Sequence, residues 1–80
     1  FAVEVVDRAG VVVASSLPAE LGATRHDAPW FRPAIAEKHV IRGPRPWGPA
    51  PRSVLDLATP VRRNGRTGEV LGAMHLVLDW

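Results

Sequence analysis

The sequence predicts an α+β domain, a five-stranded antiparallel sheet with one main helix and a short helical turn on one face. Three observations carry that expectation. Two runs rich in β-branched residues, within 2–16, flank the turn-forming Asp7-Arg8-Ala9-Gly10. A single helical stripe follows Asp27. Asn64-Gly65, a strong hairpin signal, then separates the two longest strand-like runs.

The elements follow in order. Residues 2–7 and 11–16 form the opening hairpin, with Asp7 and Gly10 suited to its turn. The segment 16–22 reads as one helical turn, with Pro18 at its start and Gly22 at its end. Asp27 is the expected N-cap of a helix running to about Lys38, whose apolar stripe is Phe31, Ala34 and Ile35. Pro33 is expected to tighten or kink it. Residues 39–42 suit a short strand, and the proline-dense 43–51 is expected to be a loop. In 52–61, Ser53, Leu55, Leu57, Thr59 and Val61 share one face, and Val54, Asp56, Ala58 and Pro60 the other. Residues 68–79 are apolar on both faces, which places that strand inside the sheet, beside the first.

Eighty residues with 46% hydrophobic content make one small domain. That length excludes dinucleotide-binding α/β folds and (β/α)8 barrels. The absence of cysteine excludes disulfides, thiolate zinc sites and Fe–S clusters. The net charge is +2, and the arginines at 42, 45, 52, 62, 63 and 66 crowd the second half. Such a stretch suits a solvated loop, or contact with an anion or a nucleic-acid backbone. No run approaches the roughly 18 apolar residues of a membrane span. The chain opens at Phe1 inside a strand-like segment, so it is expected to be a piece of a longer protein.

The hairpin Val5-Val6-Asp7-Arg8-Ala9-Gly10-Val11-Val12-Val13-Ala14-Ser15-Ser16 resembles the opening of the PAS-like sensor modules called Cache domains. Leu21-Gly22, then Asp27-Ala28-Pro29-Trp30-Phe31 with Ala34, is similar to that family's approach to its helix. Leu57-Ala58-Thr59-Pro60-Val61, Gly65, the Gly68–Gly72 interval and Leu78-Asp79-Trp80 resemble its last hairpin and closing strand. The resemblance covers nearly the whole chain. It implies a single Cache/PAS-like domain over residues 1–80, lacking the family's long N-terminal helix. It also implies an extracytoplasmic, periplasmic sensor at the inner membrane. The parent would be a membrane-anchored histidine kinase, chemoreceptor or diguanylate cyclase. Amino-acid-binding members carry an arginine two positions before the tryptophan; Ala28 stands there, so an amino-acid ligand is not implied.

The candidate ligand-binding residues are Trp30, Arg42, Trp47, Arg52, Asp56 and His75. Trp30 either contacts ligand or covers the start of the helix, with Phe31 in the core. Asp56, a carboxylate within an apolar strand, needs a partner. It is either paired with a neighbouring arginine or a pocket group, and Arg42 and Arg52 would complete an anion site through their planar donor forks. Trp47 is a pocket lid or a loop anchor, and His75 a core histidine or a pocket donor. His26, His39 and His75 have no metal-ligand spacing, and neither a metal nor a cofactor is expected. No nucleophile motif or phosphate loop is present, so the domain is expected to be non-enzymatic and to bind a small, carboxylate-like anion. A basic nucleic-acid-binding β domain is the rival reading, weakened by a shortage of strand aromatics. A structural dimerisation module is another. With helices for only one face of the sheet, a homodimer burying Val3, Val5, Leu55 and Leu57 is expected.

Overall fold

The computed structural model describes residues 2–46, 53–65 and 68–79. Its strands are β1 (Ala2–Asp7), β2 (Val12–Ser15), β3 (Val40–Pro46), β4 (Ser53–Arg62) and β5 (Val70–Asp79). They form one antiparallel sheet in the order β2-β1-β5-β4-β3. The expected α+β architecture stands, with β5 central and β1 beside it. A 3-10 turn at Pro18–Glu20 and the helix α1, Phe31–Ile35, complete it. Asp7 holds the first turn by accepting the Ala9 and Val11 N–H groups. At the other hairpin, Asn64 and Gly65 both take positive φ, 58° and 69°.

The helix is shorter than expected, and Asp27 does not cap it. Trp30 precedes α1 with no side-chain cap, and the Asp27 carboxylate faces the exposed His26 ring. Residues 25–31 are held instead by turns, Ala28 N–H to Arg25 O and Phe31 N–H to Ala28 O. The late start places Pro33 third in the helix, where its missing donor would have been unpaired anyway, so no kink is needed. The end is a Schellman motif. Lys38 N–H reaches Pro33 O and Glu37 N–H reaches Ala34 O, with Glu37 left-handed at φ 72°.

The second correction is β3. The expected loop from residue 43 is strand as far as Pro46. Prolines are tolerated there because β3 is an edge strand and bulged. Arg42 pairs with Asp56 and Arg45 with Val54, so Gly43 and Pro44 together oppose Leu55. The Gly43–Pro44 peptide is cis.

The core lies between α1 and the sheet, built from Val6, Val12, Trp30, Phe31, Ala34, Ala58 and Ala73. The alanines let the helix backbone approach the sheet closely, and burying Phe31 contributes about 2–3 kcal/mol. β1 approaches β5 so closely that a Cβ on Gly72 would collide with the Val6 carbonyl oxygen. Among the described residues the opposite face is open. Val3, Ile41 and Leu78 are exposed there, and Val5, Leu55, Leu57, Met74 and Leu76 are half-buried. Among the described residues, no helix is long and apolar enough to cross a membrane.

Candidate functional site

Alternation along the strands brings Glu4 of β1, His75 of β5 and Asp56 of β4 to the face that carries α1. In the register, Glu4 lies opposite His75, and Asp56 lies opposite Val77 and Arg42. The His75 ring bridges the two carboxylates, with Nδ1 2.9 Å from Glu4 Oε2 and Nε2 2.6 Å from Asp56 Oδ1. All three side chains are buried.

An arginine closes each end. Arg25 donates from Nε and Nη2 to Glu4 at 3.0–3.3 Å, and lies 3.5 Å from Glu20. It is delivered by the segment after the 3-10 turn, which runs along β2 through Val12 N–H to Ala23 O and Arg25 N–H to Gly10 O. At the other end Arg45 donates to both Asp56 oxygens, from Nε to Oδ2 and from Nη2 to Oδ1. The β3 bulge makes this contact. With two residues opposing one, Arg42 and Arg45 fall on the same face, where strict alternation would separate them. The result is a transverse row, Arg25–Glu4–His75–Asp56–Arg45, across four strands.

Burial pushes the Glu4 carboxyl up, but the hydrogen bonds of Arg25 and His75 outweigh it and hold it below its ordinary value of 4.5. Burial likewise raises Asp56, and the bonds from Arg45 and His75 hold it below 3.8. Those same hydrogen bonds to Glu4 and Asp56 raise Arg25 and Arg45. An ionised carboxylate only accepts, so with Glu4 and Asp56 ionised the ring satisfies both only with a proton on each nitrogen. Trp30 stacks on this ring, centroids 4.2 Å apart and planes 16° apart, and meets Phe31 edge-on. Among the described residues, no buried side-chain nitrogen or oxygen lacks a hydrogen bond.

Beside the row opens a cavity of about 620 Å³. Its walls include Arg25, Arg42 and Arg45, the row's carboxylates and His75, and the apolar surfaces of Ala2, Leu17, Trp30 and Val77. Such a volume suits a small metabolite. His75 is engaged on both edges, and Ser15 Oγ accepts the Leu17 N–H. The two carboxylates address opposite edges of the ring and do not converge on a common point. Among the described residues no cluster arranged to hold a metal ion is found.

Of the residues singled out from sequence, Trp30, Arg42, Asp56 and His75 meet around this cavity. Trp47 and Arg52 lie outside the described residues, as does the remainder of the proline-rich segment between them. His75 is buried, and its ring lines the cavity with both nitrogens engaged by Glu4 and Asp56. Asp56 has its arginine, and that arginine is Arg45. Glu4, Arg25 and Arg45 were not among the candidates. Glu4 carries the same signal as Asp56, a lone carboxylate on the inward positions of an apolar strand. Arg25 has no local signal. Among the described residues, the strands carry no Phe, Tyr or Trp on which bases could stack, and they form an open sheet.

The fold and cavity define a PAS-like α+β domain with a ligand-sized pocket between its sheet and the segment leading into the helix. Among solved structures, the chain is similar to the sensor domain of the V. cholerae histidine kinase DctB, with a TM-score of 0.76 and 22% identity. The likeness covers 98% of this chain and 30% of that one, so the chain spans about a third of the length of the protein it matches. No protein-family model and no curated protein matches the sequence. The likeness establishes the fold.

Proposed function

We propose that this chain is the ligand-sensing domain of a bacterial membrane signalling receptor, a histidine kinase, chemoreceptor or diguanylate cyclase. It sits on the extracytoplasmic, periplasmic side of the inner membrane, performs no catalysis, and binds a small carboxylate-like anion. The observation that carries this reading is the cavity of about 620 Å³, where Arg42, which makes no ion pair among the described residues, lines an apolar wall that includes Trp30, beside Arg25 and Arg45 held on Glu4 and Asp56. Guanidinium forks match carboxylates in geometry as well as charge, and the apolar wall takes the body of the ligand. The likeness to a histidine-kinase sensor domain supports the signalling role. Residues 1–80 act as one domain of a longer, membrane-anchored parent. The ligand works by binding one of two conformations better, with β5, the central strand that bears His75, as the element carrying the change onward.

The test is a thermal-shift screen of the purified domain against organic acids and amines, followed by calorimetric titration of the hits. A ligand present at a hundred times its Kd adds about 2.7 kcal/mol, which raises Tm by about 10 °C or more in a domain of this size. Saturable binding of an acid, lost when Arg42 is replaced, supports the proposal. Binding of amines alone overturns the anion assignment, and a screen without hits removes the ligand-binding role.

A further inference from the structure

The two edges of the His75 ring in the cavity wall are both committed to carboxylates. The charges around it come from every side that faces the cavity. β1 contributes Glu4, β4 Asp56 and β3 Arg42 and Arg45. The segment after the 3-10 turn contributes Arg25, and the turn itself Glu20. Neither α1 nor β2 brings a charged side chain to the cavity among the described residues. Three arginines thus meet three carboxylates. The wall has no net charge when His75 is neutral, and one positive charge when both ring nitrogens are protonated.

The geometry points to His75 as a proton switch on this pocket: the protonated ring closes the row and favours an anion, and the neutral ring opens the row, frees Trp30 and disfavours the anion. In the neutral ring one nitrogen is a lone pair facing a carboxylate oxygen, at 2.6 Å from Asp56 or 2.9 Å from Glu4. That contact changes from attraction to repulsion, so the ring or the carboxylate must turn away. Trp30 is seated on the ring at stacking distance and registers the change directly. Imidazole is the side chain suited to this exchange near neutral pH. The binding consequence rests on the anion-sensing role proposed above; the switch itself does not.

The primary test needs no ligand. In the isotopically labelled domain, the ring nitrogens of His75 and the indole signals of Trp30 are followed by NMR from about pH 5 to about pH 9. The expected result is one shared transition for His75 and Trp30, absent from Trp30 in His75→Gln. A Trp30 signal that ignores the His75 transition in the wild-type protein overturns the switch, whether or not the variant folds. Failure of His75 to exchange a proton in that range overturns it as well. Binding is then read with benzenesulfonate, whose charge is constant across the range. The expected affinity is about ten-fold higher at the acidic end, the effect of one added charge near the anion in a partly screened pocket. Equal affinity at both ends overturns the coupling to binding. Absence of benzenesulfonate binding at every pH counts against the anion role, and the NMR result then decides the switch alone.

Discussion

Replacing Asp56 by Asn removes the charge that Arg45 and His75 meet. Asp56 is 4% exposed and accepts from Arg45 Nε, Arg45 Nη2 and His75 Nε2. Each bond to a charged group contributes about 1.5–3 kcal/mol. The Arg45 side chain is 42% exposed, so water recovers much of what it loses. His75, with 7% of its side chain exposed, has no such recourse. The expected cost of Asp56→Asn at neutral pH is therefore about 2–3 kcal/mol, a large part of the stability of so small a domain. Urea unfolding followed by tryptophan fluorescence measures it, with the midpoint expected to fall by about 2 M at an unchanged slope. The pH dependence supplies a second check. The folded-state carboxyl of Asp56 lies below 3.8, so its stabilisation is complete above that value and is lost as pH falls through the lower folded value. The gap between wild type and variant should close below about pH 4. A cost under about 0.5 kcal/mol, or a gap that does not narrow in acid, would refute the view that the row braces the fold.

Other substitutions test other links. Gly72→Ala should cost about 3 kcal/mol or prevent folding, because the added methyl meets the Val6 carbonyl; a variant with wild-type urea midpoint would contradict the close approach of β1 and β5. Glu37→Gly should raise Tm by about 4 °C by relieving the left-handed residue at the end of α1, despite losing the exposed pair with Arg62; calorimetry showing a lower Tm would mean the pair matters more than the backbone. Arg42→Ala should weaken anion binding at least ten-fold while leaving Tm unchanged, since Arg42 is exposed and makes no ion pair among the described residues; equal losses of binding and stability in paired titration and melting experiments would make it structural. The domain should pair as a twofold homodimer through Val3, Val5, Leu55 and Leu57, and light scattering that gives a monomer at low micromolar concentration would rule this out.

The parts legible in the sequence are those written in local chemistry. Asn64-Gly65 fixes a hairpin by backbone preference alone. A strand apolar on both faces, such as β5, has only the sheet interior to occupy. Elsewhere local chemistry is overruled by neighbours. Asp27 and Pro29 have the composition of a helix start, but the turns through Arg25 and Ala28 use that stretch to bring Trp30 over His75. The prolines at 44 and 46 read locally as a loop, because an edge position and a bulge are properties of the sheet and not of the segment. The site depended most on information absent from short windows. Trp30, Arg42, Asp56 and His75 are recognisable as unusual residues in their settings. Arg25 reaches Glu4 only because its segment runs back along β2, and Arg45 reaches Asp56 only because the bulge shifts the phase of β3.

The row also bears on how the sheet can deform. Strand residues are spaced by about 3.3 Å, so sliding β5 by one position against its neighbours would carry His75 out of bonding reach of both carboxylates. The five side chains act as a cross-tie that locks the four strands against shear. Twisting about the strand axis leaves each pair adjacent. In the sensing role proposed above, a change at the pocket would then reach the ends of β5 as rotation about the strand axis and not as a slide along it.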